Sequence, residues 1–277
     1  YIRTDNSPCY YLSIVYNVYN GRRYVHFNGR ESMNENGAIF YDGPSQLDGV
    51  PIIGIVTGLK KSSKNPKTHW MLQTFILLRD TAPHLAIKNG ADVSICGDCK
   101  HRYHAATETD PEKKRSCYVL VHNSPLSVWR CYQKGNYGAL DYSKIAGKQL
   151  RLGSYGDPAA IPLQVWEKLK KATGITQHTG YTHQWESMPE YGTLCMASVD
   201  SPQEFKAARL LGLRTFRVRS KTEPLLPGEF VCPASEEGHH KTTCDHCGLC
   251  NGAESKTDRT PVIYAHGAVG INFLPAI

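Results

Sequence analysis

No apolar run in this 277-residue chain approaches the roughly 18 residues that a membrane-spanning helix requires, which excludes a helical membrane protein. Tyr1 to Cys9 is polar, without a basic start leading into an apolar core, so no secretory signal is expected. The Gly-x-x-x-x-Gly-Lys spacing of a P-loop is missing, and so is the Gly-x-Ser-x-Gly elbow of serine hydrolases. Charge of one sign is also in short supply. With 32 Lys and Arg against 25 Asp and Glu the net charge is +7, below the density of a dedicated nucleic-acid wrapper. Methionine is scarce, at four residues, beside ten cysteines.

What is present is a globular composition, 40% hydrophobic and 21% charged, long enough for one large domain or two ordinary ones. Residues 1–58 read as a small N-terminal β element. Tyr11 to Tyr19 and Arg23 to Phe27 flank an Asn20-Gly21 hairpin turn, and Val50 to Val56 adds a β-rich run that pairs with, or caps, the chain beyond it. Residues 59–225 alternate strands with helices. Met71 to Leu78 is apolar, His84 to Lys88 is a short helix stopped at Asn89-Gly90, and Ala91 to Ile95 reads as a strand ending at Cys96. Lys148 to Leu152 is a strand, Leu163 to Ala172 has helical spacing, and Gln177 to Gln184 and Thr193 to Val199 read as strands. Ser201-Pro202 with Glu204 has capping-box spacing for a helix through Leu211, before a strand at Arg214 to Val218.

This order predicts an α/β fold with a parallel, barrel-like (β/α) core, in which chemistry gathers at the carboxyl ends of the strands. Cys96, Gly153 to Asp157, His183 and Asp200 all fall at expected strand ends.

The cysteines divide by spacing. Cys232-x₁₁-Cys244-x₂-Cys247-x₂-Cys250, in residues 226–277, puts four thiols in a segment that has no core of its own, so a metal centre is expected to order it. The two successive Cys-x₂-Cys steps favour iron–sulfur, while His239, His240 and His246 keep zinc as the alternative. The second group is Cys96-x₂-Cys99-x₁₇-Cys117, with Cys131 fourteen positions on. Three of these thiols would leave one position of a cluster open for a ligand; with Cys131 as fourth the site closes and becomes zinc-like. Cys9 and Cys195 stand alone and read as buried apolar residues.

In order along the chain, Cys96-Gly97-Asp98-Cys99 with Cys117-Tyr118-Val119, Arg151 to Asp157, Gly180 to Trp185, Cys232-Pro233 and Thr243 to Cys250 form a set of motifs. Across residues 55–270 this set resembles the mycobacteriophage gene-product-eighty-eight type, which is itself similar to radical S-adenosylmethionine proteins. The resemblance implies a phage-encoded chain in the host cytoplasm and a partial TIM-like barrel. It also implies a 4Fe-4S cluster on Cys96, Cys99 and Cys117, with S-adenosylmethionine against Gly153, Ser154, Tyr155, Gly156 and Asp157. Asp157 would accept from the ammonium group of the cofactor. The chain departs from that superfamily's Cys-x₃-Cys-x₂-Cys, since its gaps are two and seventeen.

His183 is expected on a strand face with Tyr181 and Trp185, where it would relay protons, and Asp157 is the second candidate for catalysis. The competing expectation is a zinc-stapled nucleic-acid-binding or structural phage protein without catalysis. In it, Lys60, Lys61, Lys64 and Lys67 would meet phosphates among the hydroxyls of Ser62, Ser63 and Thr68.

Overall fold

The computed structural model describes residues 15–19, 22–26, 33–102, 115–254 and 257–265. The described strands are β1 Val15–Tyr19, β2 Arg22–His26, β3 Gly37–Pro44, β4 Pro51–Thr57, β5 Leu72–Leu78, β6 Leu150–Tyr155, β7 His178–Thr179, β8 Tyr181–Thr182, β9 Met196–Val199, β10 Thr215–Arg219, β11 Glu229–Val231 and β12 Thr260–Tyr264. The α-helices are α1 Pro83–Asn89, α2 Val93–Cys96, α3 Ser124–Gln133, α4 Leu163–Thr173, α5 Pro202–Leu210 and α6 Cys244–Cys247. None of the described helices is long and apolar enough to cross a membrane.

The fold is mixed α/β, with two five-stranded sheets and an antiparallel β1–β2 pair among the described residues. The first sheet runs β3-β4-β5-β6-β7, antiparallel as far as β5 and parallel beyond it. All seven residues of β5 are buried, as a central strand covered on both faces requires. The β-rich run at Val50 to Val56 is β4, and it pairs directly with β5 along Ile52 to Thr57. The second sheet runs β11-β12-β10-β9-β8, and every pairing in it is parallel.

Gly180 lies where the chain passes from one sheet to the other. Residues Gln177 to Gln184 do not form the single strand expected of them; β7 closes the first sheet and β8 opens the second. A Cβ on Gly180 would lie 2.9 Å from Cys195 Sγ and 3.1 Å from both Leu152 and the Leu194 carbonyl, so only glycine fits this crossing.

Several helices follow the expected local chemistry. Gly90, at φ 78°, ends α1 in the left-handed conformation. Ser201 Oγ accepts the Glu204 N–H at 3.1 Å and the Glu204 carboxylate accepts the Asp200 N–H at 2.7 Å, which caps α5. Helix α4 buries Trp166 and Leu169 against the first sheet, and Trp166 donates to the Pro158 carbonyl at 2.8 Å. A second expectation fails: Val93 to Cys96 is helix α2, not the end of a strand. The Cys96 N–H bonds the Asp92 carbonyl at 2.9 Å, and the turn is held because Arg102 grips the Asp92 carboxylate and the Gly90 and Gly97 carbonyls.

Candidate metal centre

Helix α2 packs on the loop after β6, where the Asp157 N–H bonds the Ile95 carbonyl at 2.7 Å, and ends at Cys96. Gly97, at φ 53°, turns the chain there, and the Cys99 N–H returns to the Cys96 carbonyl at 3.2 Å. Cys117 arrives from a separate segment. Its N–H bonds the His101 carbonyl at 3.0 Å, while Arg115 holds the Cys117 and Val119 carbonyls at 3.0 and 2.9 Å. Gln184 donates to the Cys96 carbonyl at 3.2 Å from the far side.

The thiols of Cys96, Cys99 and Cys117 are free. Burial first, then the neighbouring Cys99 and Cys117 sulfurs, push the Cys96 thiol well above its ordinary value. Burial pushes Cys99 up to about 12 and raises Cys117 as well. Three sulfurs close enough to strengthen one another's hold on a proton form one cluster. Cys131 is disulfide-bonded and fully buried in α3, so it supplies no fourth ligand. Cys195 is a buried free thiol, as expected; Cys9 lies outside the described residues.

The C-terminal thiols form a second cluster, also free of disulfides. Cys232 follows β11, with its N–H on the Val262 carbonyl at 2.8 Å. Cys244 and Cys247 bound α6, whose start is fixed by the Cys244 N–H on the Lys67 carbonyl at 2.6 Å. The Cys250 carbonyl takes the Gly180 N–H at 3.0 Å, which ties the segment to the crossing between the sheets. Burial, with Cys232 and Cys247 beside it, pushes the Cys244 thiol up to about 11. Burial raises Cys250 further, against a hydrogen bond from the Tyr181 hydroxyl. His246 projects from this segment into solvent on Thr243 Oγ1, and His240 bonds the Ala234 carbonyl; neither joins the sulfurs in a tight group.

Beside the first cluster, residues from three distant segments meet. Among the described residues, His101, His183 and Asp200 place one ligand atom each within 4.8 Å of the others. His101 Nε2 lies 3.1 Å from Asp200 Oδ1, and its Nδ1 lies 2.8 Å from Ser116 Oγ. The His101 and His183 rings stand edge to face at 5.5 Å. Burial pushes the Asp200 carboxyl up, but the His101 hydrogen bond and the charges of His101 and His183 outweigh it, so the group is held below its ordinary value. His183 leaves β8 rather than continuing a strand face with Tyr181 and Trp185; Trp185 turns inward to the Ser198 carbonyl. His183 Nε2 is buried without a hydrogen-bond partner. The hydroxyl of Tyr155 is another buried atom without a partner, and it lies near enough to Cys96 and Cys117 to feel their charge.

Compared with family models, curated proteins and solved structures, the chain matches none.

The loop after β6 is used by the protein itself. Asp157 Oδ1 accepts from Ala159 N–H at 3.0 Å and Thr182 Oγ1 at 2.7 Å, and its Oδ2 accepts from His183 N–H at 2.7 Å. Ser154 donates to Gln73 Oε1, and the Gly153 N–H bonds Thr74 Oγ1. A Cβ on Gly156 would lie 2.7 Å from Ile76 Cβ, and one on Gly153 would lie 2.5 Å from the Gly156 carbonyl. The glycines answer close backbone packing, and both Asp157 oxygens already accept hydrogen bonds from the protein. Asp157 is a positioning residue for His183.

Of the four lysines, Lys67 lies beside the C-terminal sulfurs, where its charge opposes the rise of the Cys232 and Cys244 thiols. Lys60, Lys61 and Lys64 are exposed, and Lys60 pairs with Glu35. His101 and Asp200 carried no cysteine spacing to mark them as a site. Their one signal was position: His101 two residues past Cys99, and Asp200 directly after β9.

Proposed function

We propose that this protein is an iron–sulfur metalloprotein of radical-S-adenosylmethionine-like architecture with two centres. Cys96, Cys99 and Cys117 hold the first, with one position open. Cys232, Cys244, Cys247 and Cys250 hold the second, which is closed. The observation that carries the reading is the gathering of three free thiols, Cys99 buried and Cys96 and Cys117 half-buried, while Cys131 is committed to a disulfide. The unpartnered Tyr155 hydroxyl beside them supports it, because a group bound there would give that atom a neighbour.

Spacing favours a cluster over zinc. A single zinc ion with Zn–S bonds of about 2.3 Å draws its thiolates to about 3.8 Å from one another. Neither cysteine group contains three sulfurs within 4.8 Å of one another, and a cubane spreads its ligands wider than a single ion does. In the parallel half of the fold, β5, β6, β7 with β8, β9, β10 and β12 read as a partial barrel bent at Gly180, with the first centre at its carboxyl end.

When bound, a cluster at the first centre would supply one-electron chemistry and an open coordination position. The chain supplies the rest. Burial of Cys99 limits water at its sulfur, and Arg102 and Gln184 fix the loop that carries Cys96. Asp157 sets where His183 stands.

Anaerobic reconstitution with iron and sulfide, followed by optical and spin-resonance spectra, tests this. Two clusters per chain are expected, one lost in Cys96→Ser and the other in Cys250→Ser. A colourless chain carrying stoichiometric zinc would overturn the reading. A second reading, nucleic-acid binding, is favoured by one observation: Trp70 is 74% exposed beside the Lys60 to Lys67 loop and offers a stacking face near ammonium groups. Charge reversal at Lys60, Lys61 and Lys64 would then weaken single-stranded nucleic-acid binding and flatten its salt dependence. Unchanged binding would remove this second reading.

A further inference from the structure

We propose that His101, His183 and Asp200 form a mononuclear site for a divalent transition-metal ion, separate from both cysteine centres. The site does not depend on which metal the cysteines hold.

Two imidazoles and a carboxylate are the donor set of facial sites that leave positions free for a substrate or oxygen ligand. The first pair already has the spacing of neighbouring ligands. Bonds of about 2.0–2.2 Å to one ion put adjacent donors about 3 Å apart, and His101 Nε2 stands 3.1 Å from Asp200 Oδ1. His183 lies within 4.8 Å of both, and its Nδ1 is 3.9 Å from the Asp157 carboxylate, too far for a hydrogen bond that would lock the ring. Rotation of that ring brings Nε2 to the ion.

The surroundings are those of ligating histidines, whose second nitrogen faces a polar partner that fixes the tautomer. Ser116 Oγ takes that place on His101 Nδ1 at 2.8 Å, while the Asp157 carboxylate stands 3.9 Å from His183 Nδ1 and leaves that ring free to turn. The remaining atom, His183 Nε2, is buried and unpartnered, a state that is unfavourable when nothing fills it. An ion fills it. A proton-relay role for His183 alone would leave the convergence of His101 and Asp200 unaccounted for. The ion would be reached from outside, since the His183 side chain is 25% exposed and that of His101 13%.

The experiment is cobalt(II) titration of the full chain after its thiol sites have been loaded. One further equivalent is expected, with weak visible bands and no sulfur-to-cobalt charge transfer. His183→Asn and Asp200→Asn should each weaken it at least about 10-fold, with near-ultraviolet circular dichroism unchanged. Spin-echo spectra of manganese(II) on the unsubstituted chain give a readout that needs no variant, and two imidazole nitrogens are expected. Absence of the extra equivalent, its survival in both variants, or spectra without imidazole nitrogen would overturn the proposal. Loss of the thiolate bands alone would instead count against the iron–sulfur reading.

Discussion

Asp157 Oδ2 accepts the backbone N–H of His183 at 2.7 Å, so the loop after β6 sets the position of the residue that leaves β8. The contact spans 26 residues, and with the donors of Ala159 and Thr182 it gives the buried carboxylate three partners. A side chain can act on a site by holding another in place.

The Asp157→Ala variant should therefore lose about 2–4 kcal/mol, since three donors are left in a buried region. In Asp157→Asn, one oxygen still accepts from Ala159 and Thr182, but an amide N–H2 then faces the His183 N–H. Its loss should be smaller, about 1–2 kcal/mol. Urea denaturation at neutral pH measures both, and an alanine variant within about 0.5 kcal/mol of the parent would contradict the assignment.

Gly97→Ala tests the loop that aims Cys96 and Cys99. The residue sits at φ 53°, and an added Cβ would lie 2.4–2.6 Å from the Gln184 side-chain amide. That amide is buried and fixed on the Cys96 carbonyl, so it has little room to retreat. Backbone strain alone is about 1–2 kcal/mol. The expected result is metal loss confined to the first centre, seen as roughly half the iron per chain. Full loading would show that the loop tolerates the change.

Cys131→Ser separates structural sulfur from ligand sulfur. Loss of its disulfide should cost about 2–4 kcal/mol and lower the melting temperature. Metal content should stay at the parental value, and a fall in metal per chain would return Cys131 to the ligand set.

Local patterns were legible in the sequence, and long-range meetings were not. The capping box at Ser201 and Glu204, the Gly90 stop and the amphipathic α4 depend on residues within a few positions, and each formed as expected. The Cys232 to Cys250 spacing pointed to one gathering of sulfurs, and the structure brings them together. By contrast, Ala91 to Ile95 carries β-branched residues, but Arg102 fixes Asp92 and two carbonyls around a helical turn, and tertiary bonds outweighed propensity. The division at Gly180 and the meeting of His101 with Asp200, 99 positions apart, depend on strand order, which no local spacing encodes.

His178 predicts a pH dependence. Both ring nitrogens face carbonyls, of Thr176 at 3.0 Å and Leu194 at 2.7 Å, inside the protein. Burial lowers its basicity below the ordinary 6.5, and the two carbonyls only partly oppose this. The unfolded chain therefore binds the proton more readily than the folded one. The contribution of neutral His178 is fully present above pH 6.5 and is lost as pH falls below it. Urea midpoints should fall between about pH 7.5 and about pH 5, a span that brackets the ordinary histidine value, and His178→Gln should flatten that slope. A slope unchanged by the substitution would assign the dependence to other groups.

Arg217 and Glu229 form a buried bidentate pair that bridges β10 and β11 over β12, at 2.7 and 2.8 Å. Arg217 also donates to the Pro224 carbonyl, and Glu229 accepts the Leu226 N–H, so the pair fixes the turn into the strand that precedes Cys232. Removing one partner strands the other as an uncompensated charge, so Arg217→Met should cost about 3–5 kcal/mol. Adding Glu229→Leu removes the stranded charge and should recover most of that loss, because desolvation offsets much of a buried pair's attraction. A double-mutant cycle in urea measures the coupling. Additive losses would mean that each residue acts through its backbone carbonyl and N–H contacts rather than through the pair.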